Sequence, residues 1–263
     1  MTNPQTKKEL TDEYKHIKYI LTSSMRTKLL LSIYNNGKKL EDLRNILKKP
    51  SATILHGLKE LENINLVKKV QKKYELTSNG YLLTINMIKL IENWSSINNS
   101  KIFWNNHDLS CIPQDLLKDI YLLKDAEYVH STTSDLSNAF NNYIELISNA
   151  KKLKIILPIY SENHFKHMTK YLKKDQLEKL ELIVNEEILK SMTKNKEINK
   201  EIIENNKVNL KCSEKDLKLF LTISDEFMSL TLFFKDGHYD DSQILIAKNE
   251  NAIKWALNLY EQY

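Results

Sequence analysis

Between residues 40 and 80 the apolar residues change period twice, and few folds accommodate that change. Leu40, Leu43, Ile46 and Leu47 recur at helical spacing, Lys48-Lys49-Pro50 interrupts them, and Ile54, Leu55, Leu58 and Leu61 resume the pattern. Steps of three and four residues mark one face of a helix. After Leu61 the period shortens. Leu66, Val67 and Val70 suit a strand, Gln71-Lys72-Lys73 a turn, and Tyr74 to Thr77 the returning strand. Ser51 is expected to cap the second of these helices, because a serine hydroxyl accepts from the free amides of a first turn. Upstream, Leu10, Tyr14, Ile17 and Ile20/Leu21 predict an opening helix, and Ser23/Ser24 a break and cap. A second helix is predicted over 25–34, ended by Asn35–Gly37, where Asn and Gly tolerate the left-handed conformation.

Two short helices joined by a tight turn read as a helix-turn-helix. With a basic hairpin directly behind them they read as a winged helix. The order Leu58, Leu61, Leu66, Val67, charged hairpin, Leu76, Thr77, Gly80 has the form this fold takes in prokaryotic regulators. Charge agrees with the pattern. Residues 1–100 carry 17 Lys/Arg against 9 Asp/Glu, a net of +8; residues 101–263 carry the other 22 against 25, a net of −3; together they make the chain's +5. Phosphate contacts supply most non-specific affinity for DNA, so the basic head is expected to bind double-stranded DNA. Lysine abundance alone decides little, since Arg26 and Arg44 are the only arginines in an Asn- and Ile-rich chain. Its position carries the inference. On the second helix of the pair, Ser51, Thr53, His56 and Lys59 are expected to face outward and reach base edges. On the hairpin, Lys68, Lys69, Lys72 and Lys73 are expected near the backbone or minor groove. The plain alternative is a solvated hairpin in a Lys-rich protein.

Thr77 or Ser78 then caps a long helix whose Leu82, Leu83, Ile85, Met87/Ile88, Leu90/Ile91 and Trp94 exceed what a small head buries. In winged-helix regulators such a helix often pairs with its symmetry mate, so a homodimer through this helix and the opening helix is expected; the plain alternative is a helix packed on its own C-terminal domain. Polar residues 95–100 mark a boundary, giving a head over 1–98 and a second domain over 101–263. Cys111 and Cys212 are the only cysteines, with no CxxC pair, which supports neither a zinc ribbon nor a disulfide framework. The first residues lack the apolar core of a signal peptide, and no apolar run approaches the roughly 20 residues that span a bilayer. The expectation is a cytoplasmic protein without membrane contact.

The rest alternates. A helix led by Ile112-Pro113 with Leu116, Leu117, Ile120 and Leu123 is followed by a strand at Tyr128–His130, a helix over 135–150, a strand over 153–159 and a helix from about Ser161. A strand at Leu180–Val184, two weak helices to Asn205, four strand runs (208–212, 219–223, 229–234, 244–247) and a last helix over 252–260 complete it. The class expected is α+β overall: a winged helix-turn-helix plus an α/β domain with a mixed sheet. Asp236-Gly237 sits between two strand runs and predicts a tight turn with no ligand involved.

Three groups carry a more specific likeness. Trp104, His107, Asp108, Ile112, Pro113, Leu116 and Leu117 form the first; Asp225, Glu226, Phe227, Leu230, Leu232, Phe233, Asp236, Gly237, Tyr239 and Asp240 the second; Trp255, Ala256, Leu259 and Tyr260 the third. With the head, this order resembles the winged-helix transcriptional regulators of methanogenic archaea known as methanogenesis or filamentation regulators. The resemblance covers essentially the whole chain. It implies sequence-specific DNA binding with a C-terminal regulatory domain, and it maps no ligand residues onto this sequence.

Catalytic motifs do not reach full strength. His164-Phe165-Lys166 begins like the His-x-Lys-x-x-x-x-Asp motif of phospholipase-D-type phosphodiesterases, but Tyr171 holds the Asp position, Asp175 is the nearest acid, and no second copy appears. A degenerate hydrolase is the outlying alternative, and an enzyme is not expected. Glu162, His164 and His167, or His107, Asp108 and Cys111, have spacings that a metal tolerates; surface histidine is the commoner explanation, so neither a metal nor a cofactor is expected. For a small-molecule effector, Ser131, Thr132 and Thr133 follow one strand and Tyr160 follows the next. Backbone amides at such helix starts favour anions, although ordinary capping by Ser134 and Ser161 explains the same residues. A platform for the transcription machinery is the rival role for the second domain.

Overall fold

The computed structural model describes residues 4–173 and 177–263. It divides into two compact units, Met1–Ile91 and Glu92–Tyr263. In the first, α1 (Pro4–Leu21) and α2 (Ser24–Ile33) are joined by a turn in which the Ser23 hydroxyl accepts from Arg26 N–H. β1 (Lys38–Lys39) leads into α3 (Leu40–Leu47), whose first turn is closed by Asp42 accepting from Lys39 N–H at 2.9 Å. Lys48 takes φ 51° at the end of α3, and α4 (Ser51–Asn63) follows. Its cap is not Ser51: Pro50 holds that position, and its carbonyl accepts from Ile54 N–H. A proline there arrives with φ already near the value needed, so the hydroxyl is left over. Ile54, Leu58 and Leu61 enter the core with Leu29, Leu30, Ile33 and Leu43. Leu55, expected inside, is 41% exposed, because the side facing α2 belongs to Gly57 and Leu58.

β2 (Val67–Val70) and β3 (Lys73–Leu76) pair antiparallel, Val70 opposite Lys73 and Val67 opposite Leu76, around a two-residue turn in which Gln71 takes φ 56°. β1 adds a third strand beside β3, with Lys38 opposite Tyr74. Thr77 closes the hairpin onto the next helix, α5 (Ser78–Asn99): its hydroxyl donates to Asn65 O at 2.6 Å and accepts from Gly80 N–H at 3.0 Å. A Cβ at Gly80 would lie 1.9 Å from Leu66 O, so only glycine lets the helix start this close to the strand. Residues 95–99, expected as a boundary, continue this helix.

In the second unit come α6 (Lys101–Asn106) and α7 (Gln114–Leu117), then a 3₁₀ turn at Ile120–Leu123. The single helix expected here is interrupted by Asn93, whose side chain donates to Lys118 O at 2.9 Å and accepts from Tyr121 N–H at 2.7 Å. A side chain inserted into the ladder ends it. β4 (Glu127–His130) precedes α8 (Asn138–Ile147), which starts later than expected because Thr132 and Asp135 exchange both backbone hydrogen bonds in a turn. β5 (Lys152–Ile156), α9 (Glu162–Leu172), β6 (Lys179–Val184), α10 (Glu186–Lys194), α11 (Lys196–Ile198), a π turn at Asn199–Ile203 and β7 (Val208–Cys212) follow. Then come β8 (Leu219–Ile223), β9 (Met228–Leu232), β10 (Gln243–Ala247) and α12 (Glu250–Tyr260).

The sheet runs β4-β10-β9-β8-β5-β6-β7, parallel across β5-β6-β7 and antiparallel elsewhere. This is the mixed sheet expected. Alternate strand residues point to opposite faces: Phe220 packs under α8 and α9, while Leu219, Leu221 and Ile223 pack under α12. Helices therefore cover both faces. No helix among the described residues is long and apolar enough to cross a membrane.

Candidate nucleic-acid interface and C-terminal cleft

Packing decides which face of α4 is free. With Ile54, Leu58 and Leu61 turned inward, Thr53, His56 and Lys59 are exposed at three-residue steps and Ser51 is half-buried. Arg26 sets the pose of this helix. Its guanidinium donates to Glu60 Oε2 at 2.8 Å and to Tyr19 O at 2.9 and 2.6 Å, and it lies 3.6 Å over the Tyr19 ring. The Tyr19 hydroxyl in turn donates to Glu60 Oε1 at 2.9 Å. Three helices are thereby fastened at one carboxylate. His56 Nε2 stands 3.6 Å from the same carboxylate.

Lys68, Lys69, Lys72 and Lys73 are all exposed, but they do not share a face. Lys68 is opposite Glu75 and Val70 is opposite Lys73, so Lys68 and Lys73 project to one side of the hairpin. Lys69 is opposite Tyr74 and lies 5.5 Å over its ring, on the other side. Three exposed cations that the helix and hairpin patterns do not single out, Arg44, Lys48 and Lys49, end α3 and make the turn before α4. The signal for them is positional: in a helix-turn-helix the first helix of the pair crosses the DNA backbone.

Residues of the three groups that carry the likeness in the sequence come together in the second unit. His107 is 1% exposed, with Nδ1 2.6 Å from Phe103 O and Nε2 3.0 Å from Asp240 Oδ2. Its ring stacks on Phe234, centroids 5.1 Å apart. Asp240 Oδ1 accepts from Ser242 N–H at 2.9 Å and from its hydroxyl at 2.6 Å. Burial works against the charge of Asp240, but the hydrogen bonds from His107 and Ser242 prevail and hold its carboxyl below the usual range. Trp104 Nε1 donates to Tyr128 OH and Trp255 Nε1 to Leu116 O. The Asp-Gly turn is tight as expected, with Gly237 at φ 92° and its N–H on Phe234 O. These residues act as clasps between segments far apart in sequence.

Both nitrogens of His107 are engaged, and burial, then the charge of Asp108, push the Cys111 thiol up to about 12. A cysteine binds metal as its thiolate, the form this burial disfavours. Among the described residues no group of three His, Cys, Asp or Glu is placed to hold a metal ion. The phosphodiesterase-like residues also diverge. Lys166 is exposed and pairs with Glu162 at 3.8 Å, the Tyr171 hydroxyl donates to Ala150 O, and Asp175 lies outside the described residues. His164 instead enters an aromatic cluster, with ring centroids 4.7 Å from Phe140, 5.8 Å from Tyr143 and 5.6 Å from Phe220.

A cleft of about 250 Å³ opens beside His164. The first turns of α8 and α9 and the β9–β10 side of the sheet form it. Of the four residues expected to hold an effector, none lines it. The Ser131 hydroxyl accepts from Ala139 N–H at 3.1 Å, Thr132 and Thr133 are exposed in the turn, and Tyr160 packs on Phe165 at 5.2 Å. The lining residues Tyr143, His164, Phe220, Tyr239 and Gln243 come from five separate elements and loops.

Residues 14–95 match the N-terminal domain of the methanogenesis regulatory protein FilR1 family, and residues 136–263 match its middle domain. The methanogenesis regulatory protein FilR1 of Methanothrix harundinacea (strain 6Ac) is 26% identical over 257 residues, which is 96% of this chain and 57% of that protein. The chain thus spans little more than half the length of this curated relative. Among solved structures, the archaeal chromatin protein TrmBL2 aligns with a TM-score of 0.41 at 14% identity over 89% of each chain. An O-methyltransferase family protein from Burkholderia thailandensis aligns at 0.27 and 11% identity, over 81% of this chain and 65% of its own.

Proposed function

This chain belongs to the FilR1 family of methanogenesis regulatory proteins, and from that premise we propose that it is a transcriptional regulator that binds duplex DNA through its first unit. One observation carries the reading: the outward face of α4, bearing Thr53, His56 and Lys59, belongs to the same small unit as a hairpin of exposed lysines. A helix of this kind enters the major groove with its N-terminal residues at base edges, while the hairpin follows the backbone. Ser51, Thr53, His56 and Lys59 are assigned to base reading. Lys68, Lys69, Lys72 and Lys73 are assigned to phosphates, with Lys68 and Lys73 on one strand of contacts and Lys69 on another.

The two roles separate in one experiment. Fluorescence anisotropy of the full chain on selected and random duplexes, over a salt series, reads both. Thr53→Ala, His56→Ala and Lys59→Ala combined should abolish preference for the selected site; selectivity that survives the triple variant sinks the assignment. Lys72→Ala with Lys73→Ala should weaken every duplex alike. That pair should also reduce the slope of log K against log salt by roughly 2 for each protomer bound, since each phosphate contact contributes about 0.9.

The functional unit is proposed as a homodimer. Leu82, Leu90 and Trp94 lie at four- and eight-residue steps along α5 and are 58%, 61% and 60% exposed, and Leu10 and Tyr14 of α1 are 62% and 51% exposed. An apolar stripe of this length on a helix marks an interaction face. The second unit is proposed as the regulatory part, which changes DNA affinity when it is occupied.

A further inference from the structure

We propose that the cleft between the first turns of α8 and α9 binds a compact organic ammonium ion. Two polar atoms within it, an amide oxygen and an imidazole nitrogen, are left without partners: Gln243 Oε1 and His164 Nδ1 are buried, and neither has a hydrogen bond in the protein. Buried polar atoms are almost always paired, so two orphans on one cleft call for a ligand that donates. His164 is held neutral, since burial, then neighbouring His167, pushes its imidazole down to about 4. A neutral imidazole keeps one acceptor nitrogen.

Charge selects the sign of the donor. Asp240 and Asp241 line the cleft and no lysine or arginine does, in a chain that carries 39 of them. Asp240 stays ionised through His107 and Ser242, and Asp241 is exposed at the rim. The walls are Phe140, Tyr143, Phe220 and Tyr239, and aromatic faces attract cations. Each helix start, which would favour an anion, already has one amide satisfied by a serine. Ser131 takes the Ala139 amide of α8, and Ser161 takes the His164 amide of α9. At about 250 Å³ the space is below the range of drug-sized sites, so the ligand is small.

The test uses the full chain and three probes of matched shape: n-butylammonium, n-butanol and butyrate. Calorimetric titration should give saturable binding of n-butylammonium at least about tenfold tighter than either match. Asp241→Asn and Gln243→Leu, each checked for an unchanged melting curve, should each weaken it about tenfold, the size of one charge-assisted hydrogen bond. Equal or tighter binding of butyrate, no saturable binding of the ammonium, or binding indifferent to both variants overturns the proposal. The titration contains no DNA, so its outcome is independent of the DNA-binding reading. The regulatory consequence rests on that reading and is measured separately, as the change in operator affinity when n-butylammonium is added. Coupling must appear in both directions.

Discussion

At the residue scale, the strongest constraint is steric. Gly80→Ala would place a methyl carbon 1.9 Å from Leu66 O, and backbone on both sides leaves neither partner free to retreat. The expected cost is about 3 kcal/mol or more, at the large end for a single substitution, read by urea denaturation. His164 makes a different signature. The unfolded chain binds a proton below about 6.5, whereas the folded imidazole resists until about 4. Stability should therefore fall as pH drops through that window, by up to roughly 3 kcal/mol. Above pH 6.5 both states are neutral and the residue adds no slope. His164→Gln should flatten the profile between those limits. Asp240 acts lower on the scale: its depressed carboxyl contributes stability that is present above the ordinary carboxylate range and is lost as acid reaches the folded value. Denaturation series from neutral pH to well below the ordinary carboxylate range, with and without His164, separate the two groups.

At the element scale, α5 is the test case. Replacing Leu90 and Trp94, both largely exposed, with glutamate should leave the fold intact and convert a dimer to a monomer in sedimentation. DNA affinity should then drop about a hundredfold, because two linked half-site contacts become one. The helices of the head are legible in the sequence because their apolar residues keep the helical period, and the hairpin is legible because Leu66, Val67 and Val70 break it. β1 is not legible. Two lysines with no periodicity become a strand only because Tyr74 and Lys73 lie beside them. The same holds for the helix expected over 112–123, which Asn93 divides from a distance in sequence. The cleft is the least legible part. His164 stands out for a catalytic motif, yet its neighbours Tyr143, Phe220, Tyr239 and Gln243 are brought to it by sheet order, which no local pattern records. Ser131 stands out as an effector candidate and Ser161 as an ordinary cap, and in the fold the hydroxyl of each accepts from a first-turn amide, Ala139 N–H of α8 and His164 N–H of α9. The two uses of a serine at a helix start look identical in sequence.

At the scale of the whole molecule, charge is divided: +8 in residues 1–100 and −3 in the remainder. Salt dependence of DNA binding should follow the first figure and ignore the second. Lys190→Gln with Lys254→Gln, which removes ion pairs to Glu186 and Glu250, should leave the salt slope unchanged, whereas the Lys72/Lys73 pair lowers it. A slope that moves with the distant lysines would place the DNA elsewhere. The fastening of Arg26 has a further effect on what the protein can read. The forked guanidinium is the commonest reader of guanine in the major groove. Of the two arginines in this chain, one is committed to Glu60 and Tyr19, and the other sits on α3 rather than on α4. On the proposed reading, bases are met by hydroxyls, an imidazole and a primary amine, none of which grips a single pair as a fork does. Sites recovered from random DNA should accordingly show a shallow consensus, several positions each mildly preferred, in place of a few invariant G·C pairs.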